Sequence, residues 1–335
     1  MKRLWPYAIC TIALFIAALL SLGLGSVDIA PGEISRMLLA RIPFLGIERT
    51  WSDGAETILF KLRMPTAVLV ALTGAALAGS GAAYQGIFRN PLADPFIIGV
   101  ASGAGLGAVV AMVQGWPAEV IPAAALLGGL ATVAVVYRLA RVGRTAPVTT
   151  LLLAGIAVGA LANALTYYFM IARDLELRRV FNFLMGGFAL GGWDPVLAAL
   201  PYVAVGLGAL IALARPLNVL QFGDEQAAQL GLPVERVKAV LILAATLAAA
   251  AAVAFSGLIG FMGLIVPHIV RLIWGSDHRR LIPLSTIAGA AALLLADTAG
   301  RSAAVLREVP VGIVTALAGA PFFLYLLRRV RRSYW

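Results

Sequence analysis

From Ala239 to Val270 the chain carries no Asp, Glu, Lys or Arg. Similar charge-free runs occupy residues 6–24, 65–88, 95–116, 120–137, 146–172, 195–214, 281–296 and 309–327. About 20 predominantly apolar residues suffice for one helix to cross a bilayer, so these runs read as membrane spans. A chain 61% hydrophobic and 13% charged, with a mean hydropathy of +0.95, cannot hide its apolar residues in one soluble core. The expected class is an all-α, polytopic membrane protein forming a single transmembrane domain over residues 1–335.

The 239–270 run is either one overlong helix or two spans, 239–256 and 258–270, broken around Gly257, Gly260, Gly263 and Pro267. Charge decides between them. Ten spans place both termini on one side and put 16 of the 26 basic residues there: Lys2, Arg3, Arg89, Arg138, Arg141, Arg144, Arg215, Arg236, Lys238, Arg271, Arg279, Arg280, Arg328, Arg329, Arg331 and Arg332. A single span inverts everything after it and leaves 11 inside against 15 outside. Basic residues concentrate in cytoplasmic loops, so about ten helices with cytoplasmic termini are expected. The net charge of +10 is thus spread over short loops facing anionic lipid, and nucleic acid is not an expected partner.

The start, Met1-Lys2-Arg3 before an apolar stretch, has the outline of a secretory signal. The stretch is long and no clean A-x-A site follows, which favours a retained first span. Cys10 is the only cysteine, which excludes an intramolecular disulfide. The segments Gly25 to Lys61 and Arg173 to Asp194 mix charges with apolar residues and are expected outside, each with a short or partial helix.

Small residues recur every four positions at Gly99, Gly103 and Gly107, and again at Gly155, Gly159 and then Asn163. Such stripes let helix backbones approach closely in lipid, most often as packing within one chain. Asn163 and Thr166 add polarity that is costly against lipid, so that face is expected to meet protein or a wet cavity. Ser80-Gly81 with Gly86 and Pro91 is echoed loosely by Ser256-Gly257 with Gly263 and Pro267, as an inverted repeat would give, or chance in a Gly-rich chain.

Chemistry is sparse. His268 and His278 have no metal-ligand partner at helical or finger spacing, and no G-x-S-x-G, H-E-x-x-H or intramembrane carboxylate pair occurs. No metal site or resident cofactor is expected, and a membrane-embedded enzyme is disfavoured. None of Lys2, Lys61 and Lys238 follows a glycine, so there is no Walker A loop for a nucleoside triphosphate. The spans also lack the ionisable relay of a proton-driven carrier, Asp297 lying close to an outer end.

One polar island, Arg215 to Lys238, interrupts the apolar chain. Asp224 and Glu225 suit a helix start, Gly231 a position just beyond a helix end, and Pro233 the first turn of a second helix. Two short helices at the membrane surface would leave Leu220, Leu230 and Leu232 for a groove on another protein. The alternative is a solvated loop. A structured inner island in a chain without a fuel site is explained if another subunit burns the fuel and pushes there.

The chain resembles the FecCD-type permeases of bacterial ABC importers for iron-siderophores, haem and cobalamin. The resemblance lies in Arg63-Met64-Pro65, SGAAYQGIFRNPLADPFIIGVASGAGLG from Ser80, LMGGF from Leu184 with Trp193, and QFGDEQAAQLGL from Gln221. It continues in SGLIGFMGLIVPHIVRL from Ser256, LLLADTAGR from Leu293 and VPVGIVTALAGAPFFLYLL from Val309, covering nearly the whole chain in order. It implies a ten-helix subunit in a homodimer in the bacterial inner membrane, with two cytoplasmic ATPase subunits that hold ATP and Mg and a periplasmic binding protein. Coupling then falls to Asp224, Glu225, Gln226, Ala227, Leu230, Gly231 and Leu232. Docking of the binding protein falls to Arg63 and Arg301, with Thr66 standing where a second arginine often follows. The pathway falls to the fifth span, hence to Gly155, Gly159, Asn163 and Thr166. Arg173, Arg178 and Arg179 would meet an anionic ligand or lipid headgroups. A secondary carrier or channel is the competing function.

Overall fold

The computed structural model describes residues 4–25, 29–42, 44, 46–172, 177–188, 191–302 and 309–332. Helix α1 (Trp5–Gly23) is followed by a short helix α2 (Pro31–Leu39), then α3 (Asp53–Thr57), which runs through a π-helical turn at Ile58–Arg63 into α4 (Met64–Ile87). A 3₁₀ turn at Pro95–Ile98 precedes α5 (Val100–Val113), and α6 (Ile121–Ala140) and α7 (Val148–Ala172) follow. Next come α8 (Leu177–Met185), α9 (Asp194–Ala212), α10 (Ala214–Leu220), α11 (Asp224–Gln229) and α12 (Val234–Ser256). The chain closes with α13 (Met262–Trp274), α14 (His278–Ser302) and α15 (Val311–Arg332). Among the described residues, seven helical stretches are long and apolar enough to cross a membrane, and Val100–Val113, Met262–Trp274 and Val311–Tyr325 are shorter apolar helices. No strand occurs among the described residues.

Helix α4 is the hub, buried along most of its length because its glycines admit neighbouring backbones. A Cβ on Gly74 would strike the carbonyl of Gly289 in α14, and one on Gly289 would strike that of Gly74. A Cβ on Gly81 would strike the carbonyl of Gly263 in α13, so two residues of the repeat echo touch. Without a hydrophobic drive between helices in lipid, such close van der Waals contact is what holds them. The Gly103 and Gly107 stripe likewise packs α5 onto α6 at Ala124 and Gly128. Gly99 instead caps the 3₁₀ turn at φ +89°, a left-handed conformation that a side chain resists.

The long apolar run is two helices. α12 ends at Ser256, Gly257 takes φ +69°, and the Phe183 carbonyl fills the space its side chain would need. Leu258 N–H donates to that same Phe183 carbonyl, and Gly187 N–H donates to Ser256 O at 2.7 Å. The end of α8 thus wedges into the break and satisfies backbone groups that neither helix can pair internally.

Polar contacts sort the helix ends into two clusters. At one end, Gln221 donates to the Gly86 carbonyl, Asn218 to Asp277, and Arg271 to the Gln85 amide oxygen. At the other, Arg63 donates to carbonyls at the end of α1, Arg301 to Ser21, and Trp193 to the Phe60 carbonyl.

Candidate functional site: the polar island and its anchors

The island folds as α10, a turn at 221–223, α11 and a second turn leading into α12. Asp224 and Glu225 occupy the first turn of α11, Gly231 adopts φ +83° just past its end, and Pro233 stands at the start of α12. The helix after Pro233 is therefore the foot of a span rather than a second short helix. The sequence from Val234 is helical without interruption into the apolar run, so nothing stops it at the surface.

The three leucines part company. Leu220 is buried in the chain's own core, Leu232 is partly buried, and Leu230 is 70% exposed. Phe222, not singled out from the sequence, joins Leu230 as an exposed apolar side chain at 67%. Glu225 and Gln226 are exposed beside them, while Ala227 is fully buried and seats α11 on the body of the protein.

Besides the Gln221 contact with the Gly86 carbonyl, two polar clusters anchor the island. Asn218 on α10 donates to Asp277 Oδ1 at 2.6 Å, and its own Oδ1 accepts the His278 backbone N–H at 2.9 Å, which ties α10 to the start of α14. Burial raises the Asp277 carboxyl, but the Asn218 amide, the Arg279 N–H and the charges of Arg279 and Arg280 outweigh it and hold the group below its ordinary value. On the other side Lys238, 2% exposed, donates to Asp224 Oδ2 at 2.8 Å, to Glu235 Oε1 at 3.0 Å and to the Ala146 carbonyl at 3.3 Å. A buried ammonium is tolerated only with such a set of acceptors. Sequence reasoning missed Asn218 and treated Lys238 as a loop charge, since their partners are remote in the chain.

The expected pathway stripe divides. Gly155 packs on the backbone of Ile97 and Ile98, Gly159 faces Ser102, and Thr166 is buried with its hydroxyl on the Ala162 carbonyl of its own helix. Only Asn163 lies on the exposed face of α7. The correction has a geometric cause: each four-residue step advances about 40° around a helix, so a stripe centred on Gly155 and Gly159 continues to Ala162 and Thr166. Asn163 leaves that face, in company with exposed Ile156 and Tyr167.

At the opposite end, Arg63 is 9% exposed and donates to the carbonyls of Leu22 and Gly23 at 2.8 and 3.1 Å. Arg301 pairs with Asp297 at 2.9 Å and donates to Ser21 Oγ at 3.0 Å. Both guanidinium groups close the end of α1. Arg178 and Arg179 are exposed, and Arg173 lies outside the described residues. Among the described residues no group of three His, Cys, Asp or Glu could hold a metal ion. An open, apolar surface depression of about 360 Å³ between α8, the α12–α13 break and α15 is lined by Leu184, Met185, Leu258 and Ile313.

The model of the FecCD transport family matches residues 13–329. The chain belongs to the FecCD family. The FecCD chain is 45% identical over 279 residues to the cobalamin import system permease protein BtuC of Halobacterium salinarum, covering 82% of this chain and 74% of that protein. It is 37% identical over 326 residues to the vitamin B12 import system permease protein BtuC of Citrobacter koseri, covering 96% and 93%. A solved inward-facing structure of a transporter described as metal-chelate type superposes with a TM-score of 0.82 at 30% identity, covering 96% of this chain and 98% of that one. This FecCD protein is a multi-span transport permease of an ABC importer, not an enzyme, and the carrier and enzyme alternatives fall away.

Proposed function

We propose that the protein is the membrane subunit of an importer for a cobalamin-type corrinoid, working by alternating access as a homodimer in the cytoplasmic membrane. Two separate ATPase subunits would bind ATP and Mg on the cytoplasmic side, and a substrate-binding protein would deliver ligand from outside. The observation that carries this reading is the island: exposed Phe222 and Leu230 project from a short helix seated at one end of the bundle and anchored at Asp224 and Asn218. Apolar side chains held rigidly on a polar segment suit a groove on a partner. Asp224, Glu225, Gln226, Ala227, Leu230, Gly231 and Leu232 form the coupling segment, to which Phe222 is added. Likeness to permeases named for cobalamin import favours a corrinoid over a siderophore or haem.

In the same reading all ten apolar helices cross the membrane, with both termini in the cytoplasm. Support comes from the two polar clusters, since loops expected inside meet one another and loops expected outside meet one another. Asn163 lines the pathway, while Gly155, Gly159 and Thr166 hold its helix in place. Arg63 and Arg301 shape the outer mouth, Arg301 being the more accessible for docking at 20% side-chain exposure.

The test is uptake of cyanocobalamin into proteoliposomes containing this chain, its ATPase subunits and its binding protein. ATP-dependent accumulation is expected; its absence in a complex that hydrolyses ATP would refute the corrinoid assignment. Single cysteines at 144 and 178 in a Cys10→Ser background should label from opposite sides, and labelling from one side would refute the ten-span arrangement.

A further inference from the structure

Two parts of the proposed machine are poorly connected by packing. α11 touches α10 and α12 only sparingly, whereas α7 packs on α5, α6 and the Pro95–Ile98 turn. α7 is also the least embedded of the long helices together with α1, with 22% of its apolar window buried. Most of the α7 surface is thus free of contact with its own chain.

The direct bridge between them is ionic. Lys238 reaches Asp224 on α11, Glu235 on its own helix and the carbonyl of Ala146, two residues before α7. Glu235 closes the loop by accepting the Ala146 N–H through Oε2 at 3.0 Å. Both backbone groups of Ala146 are therefore held by one ion pair, and Pro147 stiffens the step into α7 by fixing its φ. The ammonium is excluded from solvent while Asp224 and Glu235 are partly exposed, so parting from them would leave a buried cation without its counter-charge.

We infer that Lys238 is the linkage that transmits movement of the coupling segment to the foot of α7. The inference rests on the permease reading above and adds to it the residue through which α11 pulls on the pathway helix. Displacing α11 moves the Asp224 carboxylate, Lys238 follows it, and Ala146 goes with Lys238. Asp224 thus acts inward, on Lys238, and need not touch the ATPase subunit.

The test needs no transported ligand. In the holotransporter with its ATPase subunits, spin labels are placed by Leu62→Cys and Ile171→Cys in a Cys10→Ser background. Both positions are exposed, and Ile171 lies near the end of α7 opposite Ala146. ATP with Mg is expected to shift the 62–171 distance in the otherwise native protein. Lys238→Met should reduce that shift about fivefold or more while ATP hydrolysis continues, and Lys238→Arg, which keeps a cation, should restore it. Asp224→Ala should reduce the shift too, and combining it with Lys238→Met should add little, because both break one chain of contacts. A full shift in folded Lys238→Met overturns the linkage, and should that variant fail to fold, a full shift in Asp224→Ala overturns it. No shift in the native protein with its ATPase bound and active would instead count against the permease reading, and the linkage with it.

Discussion

Asn218 and Asp277 lie 59 residues apart in sequence and meet at 2.6 Å, joining the helix that opens the coupling segment to the start of α14. The same Asn218 amide oxygen accepts from the backbone and lies 2.8 Å from ring Nδ1 of His278. One side chain thereby satisfies two groups at a helix start that would otherwise lack partners.

Asn218→Ala should accordingly cost about 1–3 kcal/mol, the price of leaving those groups unpaired. Thermal unfolding of the isolated permease in detergent measures it. An unchanged Tm would show that the tie contributes nothing to the fold.

Breaking α11 should separate ATP hydrolysis from transport. Ala227 N–H donates to the Gly223 carbonyl and its side chain is fully buried, so Ala227→Pro removes a helix bond and costs about 3 kcal/mol locally. The protein should insert and bind its ATPase subunits weakly, with uptake lost. Uptake at the native rate would remove the segment from the coupling role.

The two outer arginines give opposed expectations for docking and for stability. Arg63→Met strands the Leu22 carbonyl, Gly23 keeping the Ile29 N–H, and should destabilise the permease by about 1–3 kcal/mol. Arg301→Glu should additionally slow association with the binding protein, most at low salt, where rim charges are least screened. Association rates measured at two ionic strengths decide this: equal rates for native and Arg301→Glu protein would confine Arg301 to its contacts with Asp297 and Ser21.

Asp94 supplies a pH dependence. Asp94 keeps some solvent exposure, but the protein crowded around it pushes its carboxyl up to about 6, the Phe96 N–H offsetting only part of the rise. The folded state therefore holds a proton that the unfolded state, near 3.9, has released. The Asp94 contribution to stability should fall as pH rises from about 4 to 6 and stay at the lower level above that. Asp94→Asn keeps an oxygen for the Phe96 N–H and should therefore gain about 1–2 kcal/mol on the native protein between pH 5 and pH 7.5. Unfolding of both proteins at pH 5 and pH 7.5 checks it; a stability difference between them that is the same at the two pH values would contradict the assignment.

The sequence by itself determined where the apolar helices lie, because length without charge is a local property and the bilayer sets the required length. It also determined the break near Gly257 and the start and end of α11, since Gly at positive φ and acids in a first turn are local signals. Which face each helix presents was beyond it: a four-residue repeat cannot say whether Gly155 and Gly159 face a pathway or Ile97 and Ser102. Only the tertiary structure decided that Arg63 and Arg301 turn inward to the end of α1 and that Lys238 is buried on Asp224 and Ala146. The physical reason is sequence distance. Ala146 is 92 residues from Lys238 and Ser21 is 280 from Arg301, and a charge with so remote a partner looks, in its own segment, like any other charge at the water's edge.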